Sequence, residues 1–393
     1  MPVQLFTPIK LRGLELENRI CMAPMCQYAS VDGLASDWHL MHLGNFALSG
    51  AAMIIAEATG VEPRGRISPD CLGMWSDKHA EALARVIRFC RQYGQAKFAV
   101  QLAHAGRKGS VQASYKGSRP VPPSEGGWIN VGPTDKPHGN WPAPQALDEA
   151  GLREIKKFWV DAVKRCDAIG VDCIEMHYAH GYLINQFLSP LSNTRSDKYG
   201  GASIENRMRF PLELFEAARA AWPDAKPMGV RISATDWYPG GWTAEDSVIF
   251  AKELKQRGCD YICATSGGVQ PGADIPSGPS YQVPLAAKVR NEAGIPSMAV
   301  GFITEASQAE GIIVTGQADL IGLARTLLYD PRWPWHAADK LGVYVDYPPR
   351  YNLCHPMMGP LKFPGEQIQN RERLQQMSEA RAKERRRGQP ANA

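Results

Sequence analysis

The chain has 393 residues, 44% hydrophobic and 21% charged, an ordinary globular composition that suits one large barrel or two medium domains. Its formal charge of +4 equals the excess of eight Lys/Arg over four Glu in residues 361–393, so the remainder is neutral overall and offers no net basic face for nucleic acid. No run approaches about 18 apolar residues, and the first six residues lack a basic segment followed by an apolar one; the expectation is a soluble, cytoplasmic chain without membrane span or signal peptide.

The first short apolar run, Ile20–Met22, reads as a strand, followed by Ala23-Pro24-Met25-Cys26-Gln27-Tyr28. A polarisable sulfur at a strand's C-terminal end can tune a redox ring, although a lone Cys is more often an inert buried thiol. Met53–Glu57 is a second strand, and Lys78–Tyr93 has helical periodicity. Phe98–Gln101 is the third strand, and Gln101 at its tip offers both a donor and an acceptor, matching a pyrimidine-like edge. Residues 103–150 are rich in Gly, Pro, Ser and Trp and too long for a plain connection; they read as a lid or pocket wall, or else as a surface insertion.

Helix Leu152–Ile169 leads to the fourth strand, Cys173–His177, within Cys173-Ile174-Glu175-Met176-His177-Tyr178-Ala179-His180-Gly181-Tyr182-Leu183. Two imidazole N–H groups at a strand end can hold one carbonyl or nitro oxygen as negative charge builds there, and Tyr182 can supply a proton. Half of a metal site, or a structural histidine pair, are the alternatives. After helix Ile204–Trp222, the strand Met228–Ile232 carries Arg231, a guanidinium that must meet either an electron-rich ligand or an internal carboxylate. Helix Ala244–Arg257 precedes strand Tyr261–Ala264 and Ser266-Gly267-Gly268. Helix Val283–Glu292 precedes strand Ser297–Val300 with Gly301 and Phe302; helix Glu305–Thr315 precedes strand Leu320–Gly322 with Ala324 and Arg325. The loops after the last two strands of a barrel commonly cradle phosphate, a role that suits Gly301 and Arg325 without naming the phosphorylated ligand.

Eight strands alternating with helices predict a single (β/α)₈ barrel over residues 1–360; a doubly wound sheet is disfavoured because no Gly-x-Gly-x-x-Gly follows the first strand. Residues 361–393 form a charged tail in which 366–388 has a helical pattern. Nine cysteines are scattered without a Cys-x-x-Cys pair, which argues against zinc ribbons, iron–sulfur clusters and thioredoxin-type chemistry.

Several segments together resemble the Old Yellow Enzymes (NADH:flavin oxidoreductases), in the bacterial branch that includes xenobiotic reductase A, over about residues 3–355. They are Leu5–Gly13, Asn18-Arg19-Ile20, Ala23–Tyr28, Gly65–Ser68, Gln101-Leu102-x-His104-Ala105-Gly106-Arg107, His177-x-x-His180-Gly181-Tyr182-Leu183 and Asn193-x-Arg195-x-Asp197-x-Tyr199-Gly200-Gly201. The resemblance implies an FMN-dependent ene reductase that uses NADPH or NADH, with FMN contacts from Ala23, Pro24, Met25, Cys26, Ala58, Gln101, Arg231, Ser266, Gly301, Phe302, Ala324 and Arg325. It implies that His177, His180 and Tyr28 bind the substrate's electron-withdrawing oxygen. Hydride would pass from the flavin N5 to the β-carbon of an activated alkene (an enone, a nitroalkene, or another xenobiotic such as a nitrate ester), with Tyr182 protonating the α-carbon and Cys26 modulating the flavin. It further implies a homodimer or dimer of dimers, with small-molecule partners and neither nucleic acid nor membrane. The stretch Pro349–His355 departs from the family pattern, because Leu353 occupies the position from which relatives send an arginine into the neighbouring subunit.

Overall fold

The computed structural model describes residues 2–356 and the single residue Glu379. Eight parallel strands close into one barrel: β1 (Ile20–Met22), β2 (Met53–Gly60), β3 (Lys97–Ala103), β4 (Cys173–Tyr178), β5 (Met228–Ser233), β6 (Tyr261–Thr265), β7 (Ser297–Ala299) and β8 (Leu320–Leu323). Each pairs with its neighbour in sequence, and β8 closes on β1 through Ile321 opposite Ile20. Such strands are buried on both faces, which is why they read as continuous apolar runs rather than alternating ones.

The helices are α1 (Asp37–Ala47), α2 (Asp77–Tyr93), α3 (Glu149–Ala168), α4 (Leu183–Leu188), α5 (Ile204–Ala221), α6 (Ala244–Gln256), α7 (Val283–Ala293), α8 (Ala306–Val314), α9 (Arg325–Tyr329) and α10 (Trp333–Lys340). Side chains alternate along the strands: Ile174, Met176 and Tyr178 join the large core between barrel and helices, whereas Cys173 joins a separate cluster with Cys21, Met53, Ala99, Tyr261, Cys263 and Met298. Leu11 and Leu16, from a hairpin pairing Ile9–Leu11 with Leu14–Leu16, belong to that second cluster.

The excursion after β3 holds three short 3₁₀ turns and a two-residue parallel pairing of Val131–Gly132 with Gln145–Ala146. Arg107, 1% exposed, fastens it: its guanidinium donates to the carbonyls of Lys136, Pro137 and, in the loop after β6, Val269. The helical pattern over 366–388 lies outside the described residues, apart from Glu379. Among the described residues no helix is long and apolar enough to cross a membrane.

Candidate active site

Odd-numbered residues of β4 face the barrel axis, so Glu175 lies below His177 in the same column. Beyond Tyr178 the chain turns through two left-handed positions, His180 (φ +60°) and Gly181 (φ +71°), into Tyr182, which caps α4. A histidine adopts that backbone only when its surroundings impose it. Here the His180 N–H donates to Ser233 Oγ (2.8 Å) at the end of β5, and the His180 carbonyl accepts from Lys108 Nζ (2.8 Å). Lys108 Nζ also donates to the carbonyl of Gly268 (2.8 Å). A Cβ at Gly181 would stand 2.1 Å from that same carbonyl oxygen, so the loops after β4 and β6 meet backbone to backbone.

This turn gathers three rings. His177 lies 5.1 Å from His180 and 5.1 Å from Tyr182 between ring centroids, both edge to face, and His180 lies 6.4 Å from Tyr182. Burial, then the positive Arg231 nearby, holds both imidazoles well below their usual pKa, so both are neutral. Burial pushes the Tyr182 phenol well above its usual value, which keeps its proton in place. Lys108 is lowered to about 8 by burial and by Arg107. Gln282 Oε1 accepts from the hydroxyls of both Thr265 (3.0 Å) and Ser266 (2.7 Å), so Thr265 Oγ is left as an acceptor for His180 Nε2 (3.1 Å). That assignment puts the His180 proton on Nε2. His177 Nδ1 is buried without a hydrogen-bond partner among the described residues.

Below the rings, Gln101 and Glu175 face each other across β3 and β4, and Gln101 Nε2 donates to Glu175 Oε1 (2.7 Å). Tyr261 donates to the other carboxylate oxygen (3.3 Å). Burial raises the Glu175 pKa, and Arg231, opposite His177 in the β4–β5 register, pulls it back down. The Gln101 amide therefore gives a donor to an internal carboxylate and keeps its oxygen as the acceptor. Arg231 feels that carboxylate, yet its Nε is buried with no hydrogen-bond partner among the described residues, and it lines a cavity.

That cavity, about 780 Å³, is lined by Ala23, His180, Arg231, Thr265, Gly301, Phe302, Ala324 and Arg325 among others. Gly301 (φ +108°) lies where a Cβ would stand 2.9 Å from Gln282 Nε2, which leaves bare backbone at the wall. Arg325 begins α9 and stacks over Phe302, 4.3 Å from the ring centroid; Phe302 itself is left-handed (φ +51°). A half-buried guanidinium whose buried Nε has no partner among the described residues, a glycine wall and an exposed arginine around a volume typical of cofactor pockets fit an electron-rich ring carrying a phosphate. Ser266 is outside that lining, its hydroxyl turned to Gln282.

Cys26, Tyr28, Ala58 and Tyr182 meet in a separate small cluster with Cys71 and Trp141. Tyr28 is also left-handed (φ +51°). Pro24 is half-buried, and Met25 packs against the main core. Glu175, Lys108, Thr265, Gln282 and Cys71 were not singled out by sequence reasoning. For Glu175 the signal was present, because a carboxylate two residues before His177 on a strand shares its inward face.

The model of the NADH:flavin oxidoreductase / NADH oxidase family matches residues 4–342. An NADPH dehydrogenase from Geobacillus thermodenitrificans is 43% identical over 353 residues, spanning 89% of this chain and 98% of that protein. Morphinone reductase superposes with a TM-score of 0.72 at 26% identity, covering 88% of this chain and 91% of that one. A 2-naphthoyl-CoA reductase has a TM-score of 0.77 at 24% identity, a likeness of fold alone, and this chain spans 53% of that longer protein.

Proposed function

Because the chain belongs to the NADH:flavin oxidoreductase / NADH oxidase family, the Old Yellow Enzymes, we propose that this flavin oxidoreductase is an ene reductase acting on activated alkenes such as enones and nitroalkenes. FMN is its cofactor, and NADPH or NADH its reductant. The observation that carries the reading is the placement of two neutral imidazoles and a protonated phenol edge to face, beside a cavity entered by an unpartnered guanidinium.

Arg231 and the acceptor oxygen of Gln101 would hold the ring, and Gly301, Ala324 and Arg325 the phosphate, leaving Ala23 and Cys26 at its edge. FMN bound there would supply hydride chemistry, carrying reducing equivalents from NAD(P)H to the β-carbon of the alkene. The protein's own part is electrostatic. One N–H of His177 and the Nε2–H of His180, which a bound ligand would share with Thr265 Oγ, would donate to the substrate oxygen, with Tyr28 beside them, and these bonds would strengthen as enolate-like charge builds. Neutral imidazoles suit this role, because a single N–H each binds an oxygen without trapping an anion in the ground state. Tyr182, held protonated, would deliver its proton to the α-carbon as the enolate-like charge collapses and would be re-protonated from solvent. The assembly we propose is a homodimer or dimer of dimers, which rests on the family resemblance; light scattering tests it.

Anaerobic mixing tests the activity. NADPH or NADH should bleach the purified yellow protein, and 2-cyclohexenone should restore the colour with saturated ketone as product. A protein that binds FMN and is bleached, yet is not reoxidised by any enone or nitroalkene, would overturn the ene-reductase reading.

A further inference from the structure

Behind Tyr182 lies a second group of reactive side chains that the mechanism above leaves largely unused. Cys26 after β1, Glu57 in β2 and Cys71 in the loop that follows bring two Sγ atoms and a carboxylate oxygen all within 4.8 Å of one another. Glu57 is 4% exposed, Cys71 fully buried, and Cys26 half-buried.

The surroundings position these atoms as ligands. His39 Nδ1 accepts from the Ser36 N–H (3.0 Å), which places its proton on Nε2, aimed at Glu57 Oε1 (3.1 Å). The Gln27 N–H donates to Glu57 Oε2 (3.1 Å) and the Ser68 N–H to Cys71 Sγ (3.4 Å). These donors fix the carboxylate and the buried sulfur in place. Arg66, held between the rings of Trp75 and Trp128 at 5.1 and 4.9 Å, acts electrostatically on Cys71 and would balance the excess negative charge of a two-thiolate, one-carboxylate set. A histidine oriented by its own partner and bonded to a ligating carboxylate is the outer support that metal sites use.

We propose that Cys26, Cys71 and Glu57 form a binding site for a thiophilic divalent cation of the zinc or cadmium type, and that its occupancy inhibits the enzyme. Two sulfurs and one oxygen select such ions over magnesium or calcium. Metal–sulfur bonds of about 2.3 Å and a metal–oxygen bond of about 2.1 Å require the three atoms to close by roughly 1 Å, within reach of side-chain rotation, and leave a fourth position for water. Each thiol releases its proton to solvent as its sulfur binds. The binding stands on these three residues alone; the inhibition rests on the proposed place of Cys26 at the flavin edge.

Anaerobic titration of the reduced-thiol holoenzyme with Cd²⁺ tests both parts. One ion per chain should bind with ultraviolet thiolate-to-cadmium absorption, turnover should fall in parallel, and a chelator should restore it. Cys71→Ser should keep its flavin and basal turnover while losing at least ten-fold in Cd²⁺ affinity, and Glu57→Gln should weaken binding in the same direction. Absence of the thiolate absorption, or a Cys71→Ser protein that binds and is inhibited like the parent, would overturn the site. Should Cys71→Ser fail to retain flavin, X-ray absorption of the zinc-loaded parent decides: two sulfur neighbours support the site, and fewer than two overturn it. A parent that binds Cd²⁺ with thiolate absorption but reduces no alkene would sink the ene-reductase reading and leave the metal site standing.

Discussion

Single residues at this mouth derive their chemistry from neighbours that the sequence does not place next to them. His180 is the clearest instance: its tautomer follows from Thr265, whose hydroxyl is committed to Gln282. Thr265→Val removes the acceptor that keeps the proton on Nε2. Phenol binding to the oxidised enzyme should weaken several-fold while flavin content is unchanged, as read by titrating the flavin absorption; affinity equal to the parent's would remove Thr265 from this role. Gln101 was legible as a polar strand tip, and Arg231 as a buried cation needing a partner. That the two share Glu175 was not legible in the quoted motifs taken one by one, because the link depends on the β3–β4 and β4–β5 registers rather than on sequence distance. Lys108 was likewise present in the motif after Gln101, but its contacts with His180 and Gly268 arise only when three loops converge.

At the scale of elements, the eight strands were legible because parallel barrel strands are apolar on both faces, and the long helices because their apolar stripe repeats. Helix α1 was not named. Its inward face carries His39 and His42 beside Leu43 and Phe46, so its periodicity is broken by buried polar groups. The short α9 and α10 fall below the length at which periodicity is readable, and α10 has a proline in its first turn. The barrel interior makes a sharper demand at Gly229 on β5, where a Cβ would stand 2.1 Å from the Tyr261 ring. Gly229→Ala should displace that ring from Glu175 and destabilise the fold by about 1–3 kcal/mol. A thermal midpoint lower by several degrees is expected; an unchanged midpoint would mean the interior yields more easily than this packing implies.

For the whole molecule, neutral buried histidines couple stability to pH. Burial lowers His42 and His138 to about 4 and holds His177 and His180 well below their usual value. In the unfolded chain these groups take up protons below about pH 6.5, and in the fold they do not. Their contribution is therefore fully present above about pH 6.5 and is lost as pH falls toward 4, by at most about 1.4 kcal/mol per pH unit for each histidine. The thermal midpoint should drop between pH 7 and pH 5; a flat profile would contradict the neutral assignment. The division into a barrel over 1–360 and a tail over 361–393 predicts that a chain ending at residue 360 still binds FMN with parent affinity, and loss of flavin on that truncation would contradict it.

The two half-reactions of Tyr182→Phe, followed separately by anaerobic stopped flow, probe the chemistry assigned to this mouth most directly. Flavin reduction by the nicotinamide should stay within a few-fold of the parent, while reoxidation by 2-cyclohexenone should slow by about 10²–10⁴-fold, the range for loss of a positioned general acid. Equal slowing of both halves, or parent-like reoxidation, would contradict the assignment of Tyr182 as the proton donor beside His177 and His180.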